Sequence, residues 1–225
     1  MRWASRRSGW RASTPIRAES VILVFARAPL AGRVKTRLIP RLGPAGAARL
    51  QERLVRAALR TAALRTANRG AVELHVTGHH AFFRSLKVHC RVQRGNDLGS
   101  RMHHALRAAL RRHRSALLIG ADCPALTAAD LRRAVRLLQA GTDVVLAPAE
   151  DGGYALIGVR RISPQVFANV EWGGAEVLAH TLHNLKDSGL SHRLLRTLWD
   201  VDRPEDLERL KSPRFSSAAQ PGARR

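Results

Sequence analysis

Short uninterrupted apolar runs alternate with longer stretches in which apolar side chains return every three or four residues, and the alternation lasts from about Ser20 to Leu210. Val21 to Phe25 has no polar member, as expected of a strand covered on both faces. After it, Leu50, Leu54, Ala57, Ala58 and Leu64 share one helical face, while Arg49, Arg53, Arg56 and Arg60 fill the opposite one. The same periods predict strands over 72–77, 88–93, 116–119, 144–147, 154–159 and 194–199, with a short apolar turn at Phe82 and Phe83. They predict helices over 98–112, 127–138, 174–185 and 204–210. Thr127 and Asp130 are spaced to cap the second of these, and Pro204 suits the first turn of the last. Strands separated by helices imply an α/β domain of three layers around a mostly parallel sheet.

Composition narrows this picture. The chain has 225 residues, 45% of them hydrophobic, enough for one core and too few for two ordinary domains. Residues 1–19 hold five arginines and no apolar run of signal-peptide length, so they read as a disordered basic tail; the same make-up suits a mitochondrial-type presequence or an upstream extension. Residues 211–225, rich in Ser, Pro and Gly, read as a second tail, leaving 20–210 as a single domain. No apolar run approaches the roughly 20 residues needed to cross a bilayer. Two cysteines, Cys90 and Cys123, make no disulfide framework or metal spacing; they read as small buried hydrophobes in a reducing cytoplasm.

The formal charge of +22 raises nucleic acid as a partner, and a basic nucleic-acid-binding protein is one reading of the chain. Three features weigh against it. Only four of the 39 basic residues are lysine, an Arg and Ala bias that GC-rich coding produces by itself. Aromatics are 4% of the chain, so stacking platforms for bases are scarce. The two tails, with nine basic residues and Glu19, carry +8, which leaves +14 for the domain, and Arg27, Arg33, Lys35 and Arg37 crowd into one loop of it.

Ligands of open α/β sheets bind beyond the carboxyl ends of the strands, and five unusual polar segments fall there. They are Ala26 to Arg37, Gly95 to Met102, Gly120 to Pro124, Pro148 to Tyr154 and Asp200 to Pro204. One is cationic and contains glycine, and the others bring carboxylates. Together they suit phosphate oxygens that are met both by cations and by a metal held on aspartates, which is the chemistry of a nucleotide diphosphate. Lys35-Thr36 is not a P-loop, because Val34 stands where glycine is needed. No GxGxxG fingerprint follows the first strand, which argues against a dinucleotide dehydrogenase.

Five ordered motifs carry a family resemblance: Val24-Phe25-Ala26-Arg27-Ala28-Pro29 with Gly32 and Lys35-Thr36-Arg37-Leu38; Asp97-Leu98-Gly99 with Arg101-Met102; Ile119 to Pro124; Glu150 to Gly158; and Asp200-Val201-Asp202 with Pro204-Glu205-Asp206-Leu207. From about Val21 to Leu210 the chain resembles a bacterial glycosyltransferase-like family of the GT-A fold, associated with arsenosugar biosynthesis or selenium-domain proteins. It is more distantly similar to phospholactate guanylyltransferase and to molybdenum-cofactor cytidylyl and guanylyl transferases.

The resemblance implies a GT-A nucleotide-diphospho-sugar transferase with a Rossmann-like sheet, moving a sugar from a nucleotide-diphosphate donor to a small-molecule acceptor with Mg²⁺ or Mn²⁺. A nucleotidyltransferase that takes a nucleoside triphosphate and releases pyrophosphate is the alternative. By the same resemblance, Asp122 is the principal metal ligand and Asp202 the second. Arg27, Lys35, Thr36 and Arg37 are expected on the phosphates, with Gly32 giving the backbone close approach. Asp97, Gly99 and Arg101 are expected to line the nucleotide or donor pocket. Asp151, set by the Gly152-Gly153 turn, is the candidate base, with Glu150 its neighbour and competitor. Gly152, Gly153 and Trp172 are assigned to the acceptor or sugar pocket, although a tryptophan packed in the core fits the residue equally. His79-His80 and His103-His104 are not read as metal ligands, because adjacent residues point different ways.

Overall fold

Residues 18–66 and 70–211 are described by a computed structural model in which β1 (Ala18–Ala26) runs through the middle of a seven-stranded sheet. Its alternate side chains feed two cores, Ile22, Val24 and Ala26 on one face and Val21, Leu23 and Phe25 on the other. The remaining strands are β2 (Gly70–Val76), β3 (His89–Val92), β4 (His113–Gly120), β5 (Val144–Pro148), β6 (Tyr154–Val159) and β7 (His192–Leu194). They lie in the order β3-β2-β1-β4-β6-β5-β7. All pairs are parallel except those of β6, which runs antiparallel to both β4 and β5.

Helices cover both faces. On the first, α1 (Ile39–Thr66) contributes Leu50, Leu54 and Val55, α2 (Ala81–Arg84) contributes Phe82 and Phe83, and α4 (Ala128–Gln139) contributes Leu131, Ala134, Val135 and Leu138. On the second, α3 (Leu98–Leu110) supplies Met102, Ala105, Leu106 and Ala109, and α5 (Val177–Asp187) supplies Leu185. Each of the larger buried side chains is worth about 1.5–3 kcal/mol, so burial on both faces of the sheet holds the two helical layers against it. This is the three-layer, mostly parallel α/β fold expected. Thr127 and Asp130 do form a reciprocal capping box at the start of α4.

Several expectations need correction. The apolar turn at Phe82 and Phe83 is the helix α2, capped by His80, whose Nδ1 accepts from the Phe82 amide at 3.2 Å. α1 is broken at Gly43, where φ is +67°, and Pro44 restarts it with a φ suited to a first turn. α5 begins at Val177, three residues later than the periodicity predicts, and α6 (Asp206–Leu210) leaves Pro204 outside. The last strand, expected over 194–199, ends at Leu194. Beyond it, the Leu195 amide reaches Leu146 O and the Leu198 amide reaches Pro148 O, so one extra residue bulges out on this side. Cys123 is buried as expected, whereas Cys90 is exposed, because β3 is an edge strand with all four residues exposed. Most of both tails lies outside the described residues, though Ala18 and Glu19 belong to β1. Among the described residues no helix is long and apolar enough to cross a membrane.

On the α3 side of β2, Glu73 is only 4% exposed and carries His75 Nε2 at 3.2 Å, Arg91 Nε at 3.0 Å and Arg112 Nη1 at 2.8 Å. Burial alone would raise its pKa. The hydrogen bonds from His75 and Arg112, with the charges of Arg112 and Arg91, outweigh that and hold the carboxyl well below the usual range. A depressed folded-state pKa adds stability above the ordinary Glu value near ~4.3, and that stability is lost as pH falls through the depressed one. Glu73→Gln is therefore expected to cost about 1.5 kcal/mol at pH 7. The gap from wild type should narrow steadily below about pH 4 in urea titrations; a pH-independent gap would contradict this assignment.

Candidate active site

The chain runs from β1 outward through β2 to β3 and then crosses back to β4 on the other side of β1, so the crevice at the carboxyl ends of β1 and β4 is the place where the topology reverses. The β1–α1 loop enters it first. Arg27 is exposed, and its carbonyl accepts from Gln51 Nε2. A turn closed by the Arg33 amide on Leu30 O carries Gly32 at φ +78°. Lys35 follows in the left-handed region at φ 48°, ψ 44°, and Leu38, fully buried, anchors the end of the loop.

That backbone turns the Lys35 side chain inward until it is 8% exposed. Its ammonium donates to Asp122 Oδ2 at 3.3 Å and to the Val201 carbonyl at 2.7 Å. Two residues on, Arg37 is exposed and its Nη1 pairs with the Asp202 carboxylate. Thr36 between them is exposed.

β4 ends at Gly120, where a Cβ would stand 2.6 Å from Asp122 Oδ1, so glycine is needed for the aspartate to fold back over the strand end. The carbonyl of Asp122 accepts from the Val201 amide at 2.9 Å and ties the segment after β7 to this loop. Val201 is fully buried, whereas its neighbours Asp200 and Asp202 are each only half-buried. Asp200 is half-buried, and its carboxyl is raised to about 6 by burial and by the charges of Asp122 and Asp151, against the pull of Lys35. Three aspartates from three loops thus share one field. Asp200 is not among the site residues expected from the sequence, although it belongs to the Asp200 to Pro204 segment singled out there; the charges of Asp122, Asp151 and Lys35 that act on it place it in the site.

A second clamp fixes the same segment from below. Arg196, in the bulge after β7, donates to both oxygens of Asp130 at 3.0 and 2.8 Å and to the Ala125 carbonyl at 2.7 Å. This joins the stretch leading to Asp200 with the stretch leading from Asp122.

The β5–β6 loop brings Asp151, which is exposed and accepts from the Gly153 amide at 3.0 Å. Its neighbour Glu150 is engaged elsewhere: Arg209 of α6 holds both its oxygens, at 2.7 and 3.0 Å, and stacks 4.3 Å over the ring of Trp199. The pairing leaves Asp151 as the carboxylate of this loop that acts on Asp200. Gly152 has φ +88°, and its missing Cβ makes room for the Ala175 carbonyl.

Ala175 belongs to the segment that carries Trp172, and Trp172 lies against Gly99 at the start of α3, where a Cβ would be 2.6 Å from the indole. Trp172 is half-buried and packs on Phe167 at 6.2 Å between centroids. Gly99, Trp172 and the Gly152-Gly153 turn therefore form one continuous wall. Asp97 and Arg101 stand at its outer end, and their contacts are local. Asp97 caps α3 by accepting from the Ser100 amide at 2.8 Å, the main cause of its lowered pKa, and Arg101 Nε donates to Gly95 O.

The structure thus brings together Lys35, Arg37, Asp122, Asp151 and Asp202, with Asp200 added. It places Gly32, Arg27 and Thr36 on the same loop and Asp97, Gly99 and Arg101 toward the sheet edge. The donor set is carboxylate oxygen, which suits a hard cation such as Mg²⁺ or Mn²⁺. Among the described residues no three His, Cys, Asp or Glu side chains are gathered closely enough to enclose an ion. In this arrangement Asp122 and Asp202 each face a basic residue.

Residues 54–174 match a family described as uncharacterized proteins conserved in bacteria, DUF2064. No curated protein matches the chain. Among solved structures it is similar to a candidate nucleotide-diphospho-sugar transferase from Desulfovibrio desulfuricans G20, with 31% identity, a TM-score of 0.79, and 88% of this chain and 90% of that one covered. The fold is shared with CMP:2-keto-3-deoxy-manno-octonic acid synthetase complexed with CTP, at 13% identity and TM-score 0.58, covering 86% and 97% of the two chains. It is shared also with Rv0371C of Mycobacterium tuberculosis H37Rv in complex with manganese, at 19% identity and TM-score 0.52, covering 87% and 99%. The seven-stranded sheet is thus that of nucleotide-sugar and nucleotidyl transferases.

Proposed function

The chain belongs to the DUF2064 family of bacterial proteins, and from that premise we propose that it is a metal-assisted transferase of the GT-A type. It moves a sugar from a nucleotide-diphosphate donor to a small-molecule acceptor. The observation that carries this reading is the meeting of Lys35, Asp122, Asp151 and Asp200 at the β1–β4 switch point, with the Arg37–Asp202 pair beside them. A similar protein is named for nucleotide-diphospho-sugar transfer, and a protein of the same fold was solved with manganese.

Asp122 and Asp202 would hold Mg²⁺ or Mn²⁺, with Asp200 close by. When bound, the cation supplies positive charge against the diphosphate leaving group. Lys35 and Arg37 bind phosphate oxygens, and Gly32 lets the loop backbone approach them. In transfer, an acceptor hydroxyl oxygen forms a bond to the anomeric carbon, the bond from that carbon to the phosphate oxygen breaks, and the nucleoside diphosphate leaves with the electron pair. Asp151 takes the hydroxyl proton in an inverting reaction. Trp172, braced on Gly99, offers an apolar face for the sugar or acceptor.

Product analysis tests this. Nucleoside diphosphate released from a sugar nucleotide supports the reading. Pyrophosphate released from a nucleoside triphosphate would replace it with nucleotidyl transfer, for which the shared fold of a synthetase bound to CTP is the argument.

A further inference from the structure

Lys35 and Arg37 are assigned above to the donor's phosphates, and Asp122 and Asp202 to the cation. In the structure these four residues are paired with one another, Lys35 with Asp122 and Arg37 with Asp202. Both cations come from one tripeptide, Lys35-Thr36-Arg37, and both carboxylates from segments joined by the hydrogen bond between the Val201 amide and Asp122 O. A carboxylate neutralised by an ammonium or guanidinium attracts a divalent cation less, and a cation held by a carboxylate is less available to a phosphate.

The Lys35 arrangement is built into the fold. Its backbone sits in the left-handed region, which a residue with a Cβ rarely adopts, and its ammonium is seated on a backbone carbonyl as well as on Asp122. Strain retained at a crevice beside a carboxylate cluster points to a role for the position it enforces.

We propose that Lys35 and Arg37 form an exchange clamp: they cover the metal-binding carboxylates until the phosphates of a nucleotide draw them off, so that nucleotide and divalent cation bind cooperatively. The clamp rests on the reading given under Proposed function and describes the regulation of that same site. Its charges balance, since the two basic side chains move from two carboxylates onto the donor's phosphates while the divalent cation replaces them on Asp122 and Asp202. Because coupling is reciprocal, the cation also strengthens nucleotide binding.

The test is a Mn²⁺ titration of the full chain without nucleotide, followed by the electron paramagnetic resonance of free Mn²⁺, for wild type, Lys35→Met, Lys35→Arg and Arg37→Gln. Lys35→Met is expected to bind Mn²⁺ about tenfold tighter than wild type, within the range usual for coupled sites. Arg37→Gln should shift in the same direction, and Lys35→Arg should stay near wild type. Arg37 is two-thirds exposed, so its variant keeps the test open if Lys35→Met fails to fold. Mn²⁺ binding that is unchanged or weaker in both neutral variants overturns the clamp and leaves the transferase reading standing, since wild type still binds. No Mn²⁺ binding by any of the four proteins overturns both.

Discussion

Asp122→Ala is expected to lower turnover about 100- to 1000-fold, the usual consequence of removing a positioned electrostatic stabiliser, while the protein stays folded. The two halves of that expectation rest on different atoms of one residue. The carbonyl of Asp122 accepts from the Val201 amide, and alanine keeps that bond. The carboxylate, 45% exposed, is what faces Lys35 and shares the field of Asp151 and Asp200. The Lys35 end of the pair is buried, but its ammonium keeps the Val201 carbonyl and the carboxylate removed is half open to water, so the loss is about 1 kcal/mol, and it also relieves the crowding of like charges at Asp200. Thermal melting should therefore move little while turnover collapses. Asp122→Asn separates charge from shape: it fills the same space over Gly120 and should be nearly as impaired. Turnover near wild type in either variant would remove Asp122 from the metal assignment.

Most of the scaffold behind that expectation is legible in the chain. Val21 to Phe25 betrays a strand buried on both faces because every position is apolar, and α4 announces its start through Thr127 and Asp130. Legibility fails where pairing, not composition, decides. The run over 194–199 looks like a strand, but Leu195 and Leu198 bond to Leu146 and Pro148 across unequal spacings. The residue bulged between them is near Arg196, whose long side chain is needed at Asp130. Cys90 escapes the sequence reading for a related reason, since nothing in a four-residue run says whether a strand is central or at the edge.

The candidate site divides along the same line. Aspartates and cations that follow strands can be gathered by the rule that ligands sit at strand ends, and the structure does gather Lys35, Arg37, Asp122, Asp151 and Asp202. What period and motif do not supply is the state of each side chain. The sequence favours Asp151, set by the Gly152-Gly153 turn, but leaves Glu150 beside it as a competitor. Only the arrival of Arg209 from α6, far along the chain, takes Glu150 out of contention. Trp172 can be read as core or as platform, and its seat on Gly99 makes it half of each.

Gly152→Ala should be the most damaging small substitution in the site, destabilising the protein by about 3 kcal/mol through overpacking and backbone strain together. A Cβ here would run into Ala175 O and stand 2.6 Å from Ala175 C and 2.7 Å from Ala175 Cα. All three are backbone atoms, so no rotamer change relieves the clash. The main chain is also pinned from both directions, by the Gly152 amide on Ala149 O at 3.1 Å and by the Leu178 amide on Gly152 O at 2.9 Å. The φ of +88° adds its own penalty, and Gly173 isolates that part: it has φ +92°, and a Cβ there would meet nothing within 4 Å. Gly173→Ala should therefore lose only about 1 kcal/mol, the cost of the strained backbone alone. Gly153→Ala, whose Cβ would meet no backbone and only the Asp151 carboxylate, with Oδ1 nearest at 3.3 Å, should lose less than Gly152→Ala as well. Urea unfolding of the three variants at pH 7 measures the differences, with an unchanged slope showing that folding remains two-state. Equal losses at positions 152 and 173 would mean that the Ala175 segment yields freely, and the wall joining Asp151 to Trp172 would then not be a fixed part of the site.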